Sequence, residues 1–244
     1  MKARRRLFVA LDFNSTGEVL DMARMLAAEA GGCKIGLAAF SAGGPGLVRD
    51  IVDIGLPVFL DLKLHDIPNT VEAAAREIGG MGVSWTTVHA LGGSDMMRAA
   101  KAGAAGGAQD AGFAAPGILA VTVLTSMSAD DLQGIGIQAE PARQVELLAG
   151  LAAQSGVDGI VCSAWEAQAL RSRIGPDMKI VTPGIRPEGT DAGDQKRVAA
   201  PAAAIRNGAD FLVVGRPITR AQDPVEAARL IVAQIDEAVS GDTV

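Results

Sequence analysis

Residues 59–70 read Phe-Leu-Asp-Leu-Lys-Leu-His-Asp-Ile-Pro-Asn-Thr, and this stretch leads from an apolar strand into a charged loop. Side chains alternate between the two faces of a strand, so Asp61 and Lys63 are expected on one face and the leucines on the other. Asp66 lies three residues beyond Lys63, where the regular alternation has ended. The stretch therefore predicts a strand that ends in a charged row.

A helix is predicted directly after this loop. Pro68 lacks the N–H that a strand ladder needs, so it ends the strand. Asn69, followed three residues later by Glu72, fits a capping box at the start of the next helix.

The charged row has two interpretations. Asp61, Lys63 and Asp66 are either a solvated network of ion pairs or part of a catalytic site. A charged row at the end of a leucine-rich, central strand is costly unless its charges are paired and used. Such a row could hold a lysine protonated inside a cavity, ready to give up its proton.

The same alternation of strand and helix runs along the whole chain. Eight β-rich runs, at 7–11, 33–37, 57–63, 85–89, 117–123, 159–162, 179–182 and 211–214, alternate with helical patterns at 16–30, 45–54, 70–81, 94–105, 141–155, 165–173, 201–207 and 224–239. Ser15 and Glu18 predict a capping box before the first helix. Eight units of about 30 residues are typical of an α/β fold of the (β/α)8 TIM-barrel type. We predict one barrel domain over residues 1–244.

A doubly wound open sheet is the alternative arrangement of parallel strands. It normally carries a glycine-rich phosphate turn, Gly-x-Gly-x-x-Gly, after its first strand. Here the first strand is followed by Asp-Phe-Asn-Ser-Thr-Gly, which lacks that pattern. The pattern favours the barrel.

Active sites of such barrels lie at the carboxyl ends of the strands, and this rule gathers scattered polar residues into one set. The set comprises Asp12, Lys34, Asp61, Lys63, Thr125, Ser126, Arg186, Gly215 and Arg216, each within or just after a predicted strand.

The loops after strands seven and eight commonly form a phosphate site in these barrels. Here they read Thr182-Pro-Gly-Ile-Arg-Pro-Glu-Gly and Val214-Gly-Arg-Pro-Ile. Glycine lets the backbone approach a phosphate, and arginine offers two parallel N–H groups to its oxygens. We predict an anion site at Arg186 and Arg216. The polar segment 186–200 suits a flap, from which Gln195 could reach across a ligand.

Charge and hydropathy exclude several partners. The formal net charge of −6 argues against nucleic acid or an anionic membrane surface as the main partner. The basic start of the chain precedes only about six apolar residues, fewer than a secretory leader uses. No stretch is apolar enough to span a bilayer, and we expect a cytoplasmic protein.

The cysteines and histidines point to structural roles. Cys33 and Cys162 have no Cys-x-x-Cys spacing and are expected to be buried, reduced thiols. His65 and His89 have no partner at metal-ligand spacing, so no metal site is predicted. Acid–base chemistry then falls on carboxylates and lysines, with Lys34 joining the charged row.

Seven motifs, in order along nearly the whole chain, resemble the bacterial type of the orotidine 5′-phosphate decarboxylase family. They are Ala10-Leu-Asp-Phe, Cys33-Lys-Ile-Gly, the stretch 59–70, Val121-Thr-Val-Leu-Thr-Ser-Met, Val181-Thr-Pro-Gly-Ile-Arg-Pro, Ala192-Gly-Asp-Gln and Val214-Gly-Arg-Pro-Ile. The third motif is the signature of that family.

The resemblance implies a (β/α)8 homodimer that converts orotidine 5′-phosphate to uridine 5′-phosphate, the last step of UMP biosynthesis, without cofactor or metal. It implies that Lys63 protonates C6 of the pyrimidine, that Asp61 lies against the substrate carboxylate, and that Lys34 completes the row with Asp66. Asp66 and Thr70 would enter the partner subunit's site. The remaining implied contacts are Asp12 and Lys34 to the ribose hydroxyls, Thr125 to the pyrimidine, and Arg186, Gln195, Gly215 and Arg216 to the phosphate.

Two other functions fit parts of the pattern. A Mg²⁺-dependent sugar-phosphate decarboxylase or aldolase on a similar barrel also carries an Asp-x-Lys-x-x-Asp row, but the Ile-Pro-Asn-Thr at 67–70 favours the nucleotide enzyme. A catalytically silent, nucleotide-binding or scaffold barrel would be expected to have lost a lysine or an acid of the row, and all four residues are present.

Overall fold

Strands and helices alternate along the computed structural model, which describes residues 2–187 and 198–241. The strands are β1 (Leu7–Ala10), β2 (Gly32–Gly36), β3 (Val58–Leu64), β4 (Trp85–His89), β5 (Gly117–Val121), β6 (Gly159–Val161), β7 (Lys179–Thr182) and β8 (Phe211–Val214). Each strand pairs in parallel with the next, and β1 pairs with β8, which closes the sheet. The predicted (β/α)8 TIM barrel of the α/β class is confirmed.

Helices follow the strands and surround the barrel. They are α1 (Thr16–Leu26), α2 (Leu37–Asp53), α3 (Pro68–Gly79), α4 (Gly93–Ala111), α5 (Ala129–Gly134), α6 (Pro141–Ser155), α7 (Ala167–Ile174), α8 (Pro201–Arg206), α9 (Arg216–Thr219) and α10 (Pro224–Gly241). Within residues 2–187 and 198–241, none of the helices has both the length and the apolar character needed to cross a membrane.

Helix ends differ more from the predictions than strand ends do. The helix predicted at 45–54 begins already at Leu37, with a break at Gly44, whose φ of 57° interrupts the helix before Pro45 restarts it. The helix predicted at 94–105 continues to Ala111. The short helices α5 and α9, of six and four residues, were not predicted, because helices of this length leave little periodic pattern.

Both predicted capping boxes are wrong. α3 begins at Pro68, with Ile67 as its N-cap and no side-chain hydrogen bond to the cap. Proline fits the first helical position because the N–H it lacks has no partner there, so the helix starts before Asn69. Ser15 is the N-cap of α1, but its side chain makes no capping hydrogen bond.

Alternate strand residues build two layers of core. The residues inside the barrel are Phe8, Ala10, Phe59, Leu119, Val181, Phe211 and Val213. The ring centroid of Phe8 lies 5.9 Å from that of Phe59 and 5.6 Å from that of Phe211, in edge-on contacts. The intervening residues, such as Val9, Val58 and Leu60, pack against the helices. These apolar side chains fill the barrel interior. The inward-facing positions further along the strands, towards their carboxyl ends, hold other side chains.

Candidate active site

A cavity of about 470 Å³ opens at the carboxyl ends of the strands. Barrel-interior residues such as Ala10, Phe59 and Val213 form its apolar floor. Of the predicted site residues, those that line the cavity are Asp12, Lys34, Asp61, Lys63, Thr125, Arg186, Gly215 and Arg216. Eight of the nine residues that the sequence placed at strand ends therefore lie at one site, whereas Ser126 is exposed and does not line the cavity.

The alternation of strand side chains places the charges inside. Asp61 lies two residues beyond the inward-facing Phe59 on β3, and Asp12 lies two beyond the inward-facing Ala10. On β2, Cys33 and Ile35 face the helices, which leaves Lys34 facing inward. The charged row is thus the polar continuation of the apolar core.

The charges of the row are paired with one another. Lys63 Nζ donates to both carboxylate oxygens of Asp61, each at 2.8 Å. Lys34 Nζ lies 3.0 Å from Asp12 Oδ1 and 3.7 Å from Asp61 Oδ2. The Lys34 and Asp61 side chains are each only 12% exposed, and that of Lys63 is 33% exposed. Two lysines and two aspartates balance in charge, which makes their burial tolerable.

Gly36 leaves the room that this row needs. A Cβ atom at Gly36 would lie 2.8 Å from Lys34 Nζ and 3.1 Å from Asp12 Oδ1. A larger residue there would push into the ion pair. The Cys33-Lys-Ile-Gly motif contains this glycine, but its role depends on the fold around it.

The backbone of Lys63 adopts a left-handed conformation. Its φ of 52° is positive, which among the described non-glycine residues occurs at this position alone. The β3–β4 pairing shifts register between Leu60 and Leu64, so Lys63 lies in a bulge. Such a conformation costs a non-glycine residue about 1–2 kcal/mol. Strained residues of this kind often occur at functional sites.

Thr87 on β4 forms hydrogen bonds with both Lys63 and Asp61, and this role was not predicted from the sequence. Its hydroxyl accepts a hydrogen bond from the Lys63 backbone N–H at 2.8 Å and donates one to Asp61 Oδ1 at 3.0 Å. Thr87 is fully buried. A threonine in a strand usually reflects β-propensity alone, so its sequence carried no signal of this contact.

The two histidines stack beside the charged row. The rings of His65 and His89 lie 5.4 Å apart and are nearly parallel. Burial lowers the pKa of His89 from its ordinary value of 6.5, and the nearby charges of His65 and Lys63 lower it further. The neutral form of His89 is therefore favoured in the folded protein.

Asp66 and Thr70 lie outside the cavity of their own chain. Both are exposed on the loop and first turn that follow β3. The Asp66 carboxylate accepts a hydrogen bond from the backbone N–H of Ile67 at 2.6 Å. Gln195, predicted at the phosphate site, falls outside the described residues, as does most of the predicted flap.

Two arginines line the cavity next to β7 and β8. Arg186 follows β7, and its backbone N–H donates to the carbonyl of Ala199 at 2.9 Å. Arg216 opens the short helix α9, directly after Gly215. Thr219 and Arg220 also line the cavity and were not predicted. This side of the cavity offers guanidinium groups of the kind that bind phosphate.

Both cysteines are buried and free. Burial is the main reason why the pKa of the Cys33 thiol is raised to about 12 and that of Cys162 is raised as well. Within the described residues, no three His, Cys, Asp or Glu side chains group in a way that could hold a metal ion.

A parallel barrel with paired lysines and aspartates in a cavity at its strand ends defines a class, the (β/α)8-barrel enzymes with an acid–base site. The chain belongs to the orotidine 5′-phosphate decarboxylase / HUMPS family, whose model matches residues 5–231. Orotidine 5′-phosphate decarboxylases are carboxy-lyases.

Relatives and solved structures agree with this membership. The chain is 49% identical over 233 residues to the orotidine 5′-phosphate decarboxylase of Anaeromyxobacter dehalogenans, covering 96% of this chain and 99% of that protein. It is 47% identical to that of Pseudoalteromonas translucida, covering 91% and 93%. The crystal structure of orotidine 5′-phosphate decarboxylase from Lactobacillus acidophilus matches with a TM-score of 0.86 at 39% identity, covering 95% and 99%.

Proposed function

We propose that the protein decarboxylates orotidine 5′-phosphate to uridine 5′-phosphate without a cofactor, in the pyrimidine pathway of the cytoplasm. The observation that carries the proposal is the paired row of Lys34, Asp61 and Lys63 in a cavity with Arg186 and Arg216 along another wall. The names of the relatives support the same substrate.

Lys63 is the proposed proton donor. When the bond between C6 and the carboxylate breaks, CO₂ leaves and the electron pair stays on C6, in an sp² orbital that lies in the ring plane, where the π system of the pyrimidine cannot delocalise it. A fixed ammonium group stabilises that charge as it develops and then transfers a proton to C6. Lys63 Nζ faces the cavity and is held by Asp61 at 2.8 Å, which keeps it in place before substrate binds.

Asp61 is proposed to face the substrate carboxylate. Its carboxylate is largely buried and lies between Lys63 and Lys34. Like-charge contact with the substrate carboxylate would disfavour the bound ground state relative to the transition state. Release of CO₂ removes that contact, so the reaction relieves it.

Arg186 and Arg216 are proposed to bind the phosphate, and Asp12 and Lys34 are proposed to bind the ribose hydroxyls. Asp12 is 59% exposed and already bonded to the largely buried Lys34, so the pair links the mouth of the cavity to the buried row. Thr125 lines the same cavity and is the proposed contact to the pyrimidine. Binding energy from the phosphate, remote from C6, orients the reacting end of the substrate and should appear partly in kcat.

A homodimer is proposed, with Asp66 and Thr70 entering the partner subunit's site. Three large apolar side chains are exposed after successive neighbouring strands: Leu37 (59%), Ile67 (66%) and Leu91 (42%). A contiguous exposed apolar patch is typical of an interface, and we propose that these three side chains form one. The loop that carries Asp66 lies among them.

The test is the loss of absorbance of orotidine 5′-phosphate after addition of purified protein in EDTA. Turnover that EDTA leaves unchanged, with one uridine 5′-phosphate formed per substrate consumed, is expected. A matched assay with ketose and hexulose phosphates in Mg²⁺ addresses the alternative. An EDTA-sensitive activity on those sugars, with none on the nucleotide, would reverse the proposal.

A further inference from the structure

Thr87 makes two hydrogen bonds, and they join the residues proposed to carry the chemistry. The oxygen of its hydroxyl accepts from the Lys63 backbone N–H at 2.8 Å. The same hydroxyl lies 3.0 Å from Asp61 Oδ1. A carboxylate only accepts hydrogen bonds, so the single hydroxyl hydrogen of Thr87 must point at Asp61. The direction of both bonds is therefore set.

The Lys63 N–H needs this acceptor because of the bulge in β3. Leu60 pairs with Thr86 and Leu64 with Val88, so β3 advances four residues between these pairs while β4 advances only two. A backbone N–H displaced from the ladder in a buried region must find another partner. The hydroxyl of Thr87 is that partner for the N–H of Lys63, the residue with the left-handed backbone.

Asp61 is held by the same contact. Thr87 and Lys63 Nζ both bond Oδ1, and Oδ2 lies 2.8 Å from Lys63 Nζ and 3.7 Å from Lys34 Nζ. The hydroxyl thus contributes to the orientation of the carboxylate. It ties that orientation to the backbone from which the Lys63 side chain projects.

We propose that Thr87 is a positioning residue, which sets the Lys63 backbone and the Asp61 carboxylate in their relative geometry through one buried hydroxyl. This inference rests on the proposed decarboxylation. Thr87 acts through Lys63 and Asp61 and is not proposed to touch the substrate. A displacement of about 1 Å at a reacting group can cost about 100-fold in rate, which gives the scale of the expected effect.

Thr86 provides a matched control. It is the preceding residue of β4 and is also fully buried. Its hydroxyl donates to the backbone carbonyl of Leu60 at 3.0 Å. Replacing either threonine by valine removes one buried hydroxyl and keeps the shape, but only Thr87 contacts the charged row.

The experiment compares Thr87→Val, Thr86→Val and Thr87→Ser with the unaltered protein for kcat, KM and binding of uridine 5′-phosphate. Thr87→Val is expected to lower kcat about 10- to 100-fold and to change KM and product affinity less than about threefold, because the phosphate and ribose contacts remain. Thr87→Ser keeps the hydroxyl and should restore kcat to within about threefold, as should Thr86→Val.

Equal kcat values for Thr87→Val and Thr86→Val, or a Thr87→Ser as slow as Thr87→Val, would overturn the inference while the decarboxylation stands. An unaltered protein without decarboxylase activity would overturn the proposed function and, with it, the inference. If Thr87→Val does not fold, Thr87→Ala and Thr87→Ser form the deciding pair. Both lose the methyl group, and only serine keeps the hydroxyl.

Discussion

Lys63 combines a partly buried charge with a strained backbone. Its side chain is 33% exposed and bonded twice to Asp61, and its φ is 52°. The free energy lost to the left-handed conformation has to be offset by surrounding contacts, among them the hydrogen bond to Thr87. These contacts hold Lys63 in one position, which agrees with its proposed role as the proton donor.

Replacing this lysine should abolish turnover and leave the fold intact. Lys63→Ala is expected to lower kcat more than about 1,000-fold, because the variant loses both the proposed proton donor and the charge proposed to stabilise the carbanion. Circular dichroism and the unfolding midpoint check that the barrel is retained.

Lys101→Ala is the matched control for this variant. Lys101 also forms an ion pair at 2.8 Å, with Asp158, but does not line the cavity. Its kcat should stay within about threefold of the unaltered protein. Near-normal decarboxylation by Lys63→Ala would contradict the assignment of the proton donor.

His89 should make stability depend on pH. Because its pKa is lowered in the folded protein, the unfolded chain binds more protons as the pH falls through the ordinary value of 6.5. The free energy of unfolding should therefore be independent of His89 above that value and decrease below it. Denaturant unfolding from pH 7.5 to 5 measures this slope, and His89→Gln should have a shallower one. Identical slopes would show that the folded state leaves the titration of His89 unchanged.

Helices α3 and α4 pack closely enough that glycine is required between them. A Cβ at Gly107 would collide with the carbonyl oxygen of Arg76, and one at Gly103 would collide with that of Glu72. Backbone atoms cannot move aside as a flexible side chain can. α3 follows the charged loop after β3, so this contact also positions the segment that carries Asp66.

A methyl group at this contact should destabilise the protein. Gly107→Ala is expected to lower the free energy of unfolding by about 1–3 kcal/mol, because overpacking outweighs the gain in helix propensity. The comparison is Gly106→Ala, whose Cβ would meet only the Arg76 guanidinium, at 2.6 Å. That variant should be as stable as the unaltered protein or up to about 1 kcal/mol more stable. Urea unfolding distinguishes the two, and equal stabilities would contradict the close packing.

Asp66 and Thr70 do not line the cavity of their own chain. If each site is completed by the partner, two inactive variants should complement each other. Lys63→Ala mixed with Asp66→Ala should regain about a quarter of the active sites after random exchange into dimers, since one site of each mixed dimer has both residues. Activity after verified subunit exchange measures the recovery. No recovery would show that Asp66 acts within its own chain.

Parts of this site were predictable because strand geometry is local. Asp61 and Lys63 share a face by the period of two, and the barrel rule places strand ends together. Thr87 was not predictable, since its role depends on the register shift between β3 and β4. The capping box predicted at Asn69 was wrong for a different reason, because two local signals competed and the preference of Pro68 for the first helical position prevailed.

The order of the eight strands and the longer helices, the (β/α)8 class and most of the charged cavity residues followed from the sequence alone, because hydrophobic periodicity and turn residues act over a few neighbours. Only the tertiary structure decided the left-handed Lys63, the hydroxyl bridge from Thr87 and the space left by Gly36. These depend on distances between segments far apart in the chain. Closure of the barrel sets such distances, and no local pattern encodes them.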